Sequence, residues 1–137
     1  MYTVCMRKNK AQVFISQNII PPPEKHEQSA AWILAQHYNC RIEFLKPLVG
    51  YKMRTPDFVM NALEWELKSP VGKSKRTIRD KLSVAKTQSP NIIIDTRRMK
   101  APDSEIESEL RRQILIKKSI YRLIMITKEE KVIEIKM

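Results

Sequence analysis

The chain has 137 residues, 42% of them hydrophobic, which is the size and composition of one ordinary folded domain rather than of a disordered tail. Its two glycines exclude the clustered-glycine phosphate loops of Walker and Rossmann type. A formal net charge of +11 costs self-repulsion and points to a polyanionic partner, with nucleic acid ahead of an anionic membrane surface.

Along the chain, residues 1–22 read as a leader with one strand-like run, Ala11 to Ser16, an added strand or hairpin. Pro21-Pro22-Pro23 ends it, since three prolines cannot continue a strand ladder. Residues 23–137 read as a single domain. A helix is expected from about Pro23 to Tyr38, with Ala31, Leu34 and Tyr38 on one face. Arg41 to Leu45 alternates as a strand. Asp57–Met60 and Leu63–Ser69 read as a hairpin turning at Asn61-Ala62. Ser74 caps a second helix running to about Gln88, with Ile78, Leu82 and Ala85 inward. Asn91–Asp95 is a buried-type strand. Ser104 and Glu107 form a capping box for a third helix. Strands at Tyr121–Thr127 and Lys131–Ile135 close the chain. The pattern is mixed α/β, a sheet flanked by helices.

No apolar run approaches the roughly 20 residues of a spanning helix, and no signal peptide opens the chain. The expected compartment is the cytoplasm, and a membrane is not an expected partner. Cys5 and Cys40 lie in no CxxC or Cys/His cluster, so structural zinc is not expected and both thiols should be free.

The chemistry begins in the second hairpin strand. Successive strand side chains point to opposite faces, so Glu64, Glu66 and Lys68 share one face and Leu63, Trp65 and Leu67 the other. With the turn at Asn61-Ala62, Met60 pairs with Leu63, and the same arithmetic sets Asp57 opposite Glu66. Opposed carboxylates repel unless a cation lies between them, and hard oxygen ligands suit Mg²⁺ or Mn²⁺. Lys68 could hold a scissile phosphate or orient the attacking water. Alternating Glu and Lys is by itself ordinary for a solvated face. The Pro-Asp start, the opposed register and the basic surroundings favour the functional reading.

Glu27 shares a helix face with Ala31 and Leu34, where a carboxylate is costly unless it is paired or bound to metal. The alternative is a first-turn Glu satisfying the helix dipole. Lys68 to Lys86 carries seven Lys or Arg and one acid, Asp80. Lys75, Arg79 and Lys86 project within one narrow arc that could track a phosphate backbone, with Lys73 and Arg76 nearby. A solvated helix face is the alternative. Gln88 could reach phosphate or water, or be a plain surface side chain. Arg97, Arg98 and Lys100 could add phosphate contacts. His26 and His37 match no catalytic spacing.

Thr55-Pro56-Asp57, eight residues, then Glu66-Leu67-Lys68 resembles the PD-(D/E)xK nuclease superfamily. More narrowly, PPPEKHEQSAAWILAQ, RTPDFVMNALEWELKSPVGKSKRTI and AKTQSPNIIIDTRR resemble the C-terminal tRNA-nuclease domain of CdiA-type contact-dependent growth inhibition toxins. Ala62 stands where similar sequences usually carry Gly. The resemblance implies a restriction-endonuclease-like αβββαβ core, here with an N-terminal strand or hairpin and a C-terminal helix plus two strands. It implies an active set of Glu27, Asp57, Glu66 and Lys68 with a divalent metal. Asp57, Glu66 and the Leu67 backbone carbonyl would be its ligands. The expected activity is metal-dependent endonucleolytic cleavage, with tRNA the favoured substrate. A DNA endonuclease, or a non-catalytic nucleic-acid-binding module, are the alternatives. An acidic immunity or inhibitor protein fits as a further partner, and delivery into a target-cell cytoplasm as the localisation of an excised toxin domain.

Overall fold

The computed structural model describes residues 2–8, 10–47 and 55–137, the first stretch by its backbone alone. Arg54, within the hairpin-to-helix segment, and the side chain of Cys5 lie outside the described residues. Cys40 is a free thiol, as expected. The chain divides into two compact units, residues 1–65 and 66–137.

The first unit contains β1 (Tyr2–Lys8), β2 (Ala11–Ser16), α1 (Lys25–Tyr38), β3 (Arg41–Phe44), β4 (Phe58–Met60) and the start of β5 (Leu63–Lys68). β1 runs antiparallel to β2, and β2 parallel to β3. β3 runs antiparallel to β4, and β4 antiparallel to β5. The leader strand is therefore one arm of a hairpin. Val13, Ile15, Leu34, Ile42, Phe58 and Trp65 are buried in this unit.

Helix α1 starts two residues later than the proline triplet suggests. Glu24 is extended, with φ −67° and ψ 160°, and the helix begins at Lys25. It stops at Asn39, whose left-handed φ of 50° is tolerated by a short polar side chain. The Cys40 and Asn39 amides turn back onto the Ala35 and Gln36 carbonyls, which satisfies groups the last turn leaves open. Asn39 Oδ1 also accepts the Lys10 amide at 3.2 Å, tying the end of α1 to the β1–β2 hairpin.

The β4–β5 register is the one the turn arithmetic requires: Met60 with Leu63, Val59 with Glu64, Phe58 with Trp65. Both turn residues take positive φ, 52° at Asn61 and 63° at Ala62. This is the primed geometry whose twist matches a two-residue hairpin. Trp65 is buried, and its indole N–H donates to the Met60 carbonyl at 3.1 Å.

The second unit holds the end of β5, α2 (Lys75–Ala85), β6 (Asn91–Asp95), α3 (Asp103–Ile116), β7 (Arg122–Ile126) and β8 (Val132–Lys136). β5, β6 and β7 are parallel neighbours, and β8 closes antiparallel on β7. All five residues of β6 are buried, as its unbroken apolar run predicts. Ile78, Leu82 and Ala85 of α2 join Ile106 and Leu110 of α3 and the β6–β7 side chains in one core. The order α1–β3–β4–β5–α2–β6 is the expected αβββαβ series, and the fold is mixed α/β.

Two helix boundaries differ from expectation. Helix α2 ends at Ala85, three residues early, because Lys86–Gln88 turn toward β6. The Ser104/Glu107 capping box does not form. Pro102 is the extended residue before α3, which places Ser104 inside the first turn. Glu107 instead pairs with Arg111 at 3.0 Å, one turn on. The anchor at this helix start is Asp103. Its carboxylate accepts the Lys128 backbone amide at 3.0 Å and the Thr96 hydroxyl at 2.8 Å, and pairs with the Lys128 ammonium at 3.0 Å.

Candidate active site

In the first unit, Glu27 and Asp57 line the same cavity, of about 290 Å³. Its walls are Pro21, Pro22 and Pro23 before α1, Phe44 and Leu45 at the end of β3, and Thr55 and Pro56 before β4. The proline triplet, read from sequence as punctuation alone, thus forms a rigid wall beside two carboxylates. Both carboxylates are half-buried. Glu27 serves its helix as well: one oxygen accepts the Glu24 amide at 2.8 Å. The dipole-satisfying role and the cavity position coexist in this side chain. Asp57 is held by its backbone, its amide donating to the Trp65 carbonyl and its carbonyl accepting the Leu45 amide, each at 2.9 Å.

In the second unit, Glu66 lies on β5 opposite Ile92 of β6 and is 2% exposed. Lys68, two residues on, brings its ammonium to 3.0 Å from Glu66 Oε2. Alternation explains the meeting: i and i+2 share a face. Glu66 is the buried partner and Lys68 keeps part of its side chain at the surface, so it is the carboxylate that would be expensive to bury alone. The segment after Lys68 is shaped by Gly72, where an added Cβ would come within 2.2 Å of Thr77 Oγ1, so the approach to α2 has no room for a larger residue. Gln88, at the far end of α2, is half-buried, and its Oε1 has no hydrogen-bond partner among the described residues.

The basic residues divide into three sorts. Lys73 and Lys86 are exposed and form no ion pair among the described residues. Arg76 and Arg79 share Asp80, at 3.7 and 4.0 Å, and Lys75 stands at a small cleft with Glu105 and Glu109. Arg97, expected to add phosphate contacts, is half-buried. Its guanidinium forks onto the fully buried Asp95 through Nε and Nη2, both at 2.9 Å, and that hydrogen bond chiefly raises its pKa above the ordinary arginine value. Arg98 is exposed beside it.

Among the described residues, no three His, Cys, Asp or Glu side chains cluster as a ready-made metal cage. The donor chemistry at these positions is carboxylate and backbone carbonyl oxygen.

The family described as the contact-dependent growth inhibition CdiA C-terminal domain matches residues 54–132, more than half of the sequence. The chain belongs to that family. The match spans the hairpin, both helices of the second unit and nearly all its strands, so it covers Asp57, Glu66 and Lys68 but not Glu27. Among solved structures, the fold is similar to a chain of the "CdiA-CT/CdiI toxin and immunity complex from Burkholderia pseudomallei", with 19% identity and a TM-score of 0.59. That similarity covers 88% of this chain and 95% of the other. No curated protein matches the sequence. No helix among the described residues is long and apolar enough to cross a membrane.

Proposed function

We propose that this family member is a metal-dependent endonuclease of PD-(D/E)xK type, with tRNA the favoured substrate. The observation that carries the reading is the Glu66–Lys68 pair on β5, a buried carboxylate with a partly exposed ammonium 3.0 Å away. A merely solvated strand face would leave Glu66 exposed. The cavity shared by Glu27 and Asp57 supports the same reading from the first unit. The choice of tRNA rests on the sequence resemblance to tRNA-nuclease toxin domains.

Asp57, Glu66 and the Leu67 carbonyl would hold Mg²⁺ or Mn²⁺, their oxygens being the hard donors such ions take. When bound, the ion supplies Lewis acidity toward a phosphate oxygen and eases deprotonation of water. The chain's own residues do the rest. The Lys68 ammonium is held by Glu66 with little freedom, so its charge is already oriented when negative charge builds on the phosphate. Glu27 presents a carboxylate to the cavity while the Glu24 amide fixes its rotamer. Lys73, Lys86 and Arg98 offer cations to flanking phosphates.

In this reading the enzyme acts in a cytoplasm, reached by delivery if the domain belongs to an exported toxin. A chain with a net charge of +11 suits an acidic immunity protein as antagonist, and the structurally similar chain comes from a toxin and immunity complex. The deciding experiment incubates the purified chain with tRNA and with duplex DNA, with Mg²⁺, Mn²⁺ or chelator. Metal-dependent tRNA cleavage is expected. Cleavage of DNA alone would make it a DNA endonuclease, and binding without cleavage a non-catalytic module.

A further inference from the structure

The far ends of α2 and α3 carry a second concentration of cations, of which the proposed site draws on Lys86 alone. Lys75 lies near Glu109 of α3, while Arg79 and Lys86 lie near Lys117, so the two helices run side by side in the same direction and end together. The nearest buried acid cannot neutralise that end. Glu109 is 3% exposed, and Arg112 saturates it through a fork at 3.1 and 2.9 Å, with Gln113 adding a bond of 2.7 Å. Hydrogen bonding by Arg112 accordingly holds the Glu109 carboxyl below its ordinary range. Lys117, half-buried, donates to the carbonyl of that same Gln113 and so projects from a fixed base. Burial, then repulsion from Lys86 and Arg79, pulls its ammonium below the ordinary lysine value despite the attraction of Glu109. Lys86, Arg79 and Lys117 repel one another at this end, and an anion would relieve that repulsion.

The second observation is apolar. Tyr121 is 61% exposed and Ile116 61%, four residues and one residue from Lys117. Tyr121 is not on a loose loop. Its amide donates to the Pro90 carbonyl at 2.8 Å, and the Ile120 amide closes a turn on Lys117, so the ring stands at the start of β7 beside the turn that follows Lys86. An exposed aromatic on an anchored backbone, near exposed cations, is the combination that binds single-stranded polynucleotide: phosphates meet the charges and a base stacks on the ring.

We propose that the adjoining ends of α2 and α3 form an auxiliary polynucleotide-binding surface, with Lys86 and Lys117 meeting backbone phosphates and Tyr121 stacking on an unpaired base. The proposal rests on the endonuclease reading and adds a contact outside the catalytic set. It explains why an extended cationic surface persists beyond the residues that flank Lys68, and it favours a substrate with unpaired bases over a uniform duplex.

The test uses the full chain carrying Glu66→Gln, so that substrate survives. Fluorescence anisotropy follows a mixed-sequence single-stranded oligoribonucleotide, the matching oligodeoxyribonucleotide and a duplex across a salt series. Tyr121→Ala should weaken both single strands about tenfold, within the range for one stacked base, while Tyr121→Phe binds normally and the duplex is unaffected. Lys86→Ala with Lys117→Ala should reduce the slope of log affinity against log salt by about 1.4, two phosphate contacts' worth. Thermal melts check the fold, and Lys117→Gln replaces Lys117→Ala if the latter is unstable. Single-strand affinity and salt slope unchanged in all variants would overturn the proposal. So would variants that keep RNA binding but lose an acidic protein partner, which would mark a protein-docking surface. If the wild type cleaves and the variants bind normally, this surface is refuted and the endonuclease stands. If the wild type cleaves nothing yet binding depends on Tyr121 and Lys117, the endonuclease reading fails and the surface stands.

Discussion

Lys68 places its ammonium 3.0 Å from the Glu66 carboxylate, and the two side chains are 22% and 3% exposed. The pair is one-sided: the lysine reaches toward solvent and the glutamate does not. Removing the lysine therefore does more harm to folding than removing the glutamate's charge. Lys68→Met should destabilise the chain by about 3 kcal/mol, the low end for a broken buried pair, since a carboxylate is left buried without its cation. Glu66→Gln keeps the shape and leaves an ammonium that can reach water, so its cost should be nearer 1 kcal/mol. Both should abolish cleavage. Urea unfolding of the two variants checks the order, and a larger loss for Glu66→Gln would contradict it.

Asp57 is fixed by backbone hydrogen bonds on both sides, which a substitution leaves in place. Asp57→Ala should therefore still fold, with the β4–β5 pairing intact. In the wild type, Mg²⁺ or Mn²⁺ at a hundredfold above its dissociation constant should add about 2.7 kcal/mol by mass action and raise the melting temperature by several degrees. In Asp57→Ala that rise should vanish together with cleavage. A variant that melts higher with metal, as the wild type does, would remove Asp57 from the ligand set.

What could be read from sequence follows from how local the cause is. The β4–β5 register needed only strand alternation and a two-residue turn, so the pairing of Phe58 with Trp65 was legible. The inward stripe Ile78, Leu82 and Ala85 needed only helical spacing. The capping box at Ser104 was misread because the decision was made elsewhere. Pro102 fixed the extended residue, and Lys128, 25 positions away, recruited Asp103. Arg97 reads from sequence as a candidate phosphate contact because the strand pattern places Asp95 in a buried run but does not show that its carboxylate takes the neighbouring guanidinium. The carboxylate sharing between Glu27 and the cavity was half legible: helix phase gave the face, but the proline wall required the fold.

Two buried or partly buried carboxyls make the second unit acid-sensitive. For Glu109, hydrogen bonds from Arg112 outweigh burial and lower the pKa from its ordinary 4.5. For Asp103, burial alone would raise the pKa from 3.8, but the bonds from the Lys128 amide and ammonium and the Thr96 hydroxyl outweigh it and lower it. A carboxyl depressed in the folded state contributes stability that is complete above its unfolded pKa and is lost as pH falls through the folded value. The loss should therefore begin near pH 4.5 for Glu109 and near 3.8 for Asp103, and deepen below them. Glu109→Gln, which keeps one acceptor for Arg112 but no charge, should lower the melting temperature at neutral pH and flatten the acid limb, because the contribution that acid removes is already absent. An acid limb as steep as that of the wild type would show that Glu109 does not govern it.

The hairpin turn carries a correctable strain. Ala62 holds a left-handed φ of 63°, where its Cβ crowds the neighbouring carbonyl at a cost of roughly 1–2 kcal/mol. Glycine has no such crowding, but it loses about 0.4–1 kcal/mol more through chain entropy on folding. The difference favours glycine, so Ala62→Gly should stabilise the chain by about 0.5–1 kcal/mol. Asn61, also at positive φ, already suits the first turn position, and Asn-Gly is the preferred pair for this turn. Because Ala62 is exposed and does not line the cavity of Glu27 and Asp57, activity on any substrate should stay at the wild-type level. Replacing Asn61 with Val, a β-branched residue at positive φ, should act in the opposite direction and cost about 1–2 kcal/mol. Denaturant midpoints of the two variants, measured beside the wild type, give the comparison. If Ala62→Gly lowers the midpoint, the chain-entropy loss exceeds the steric relief and the turn is not a source of strain.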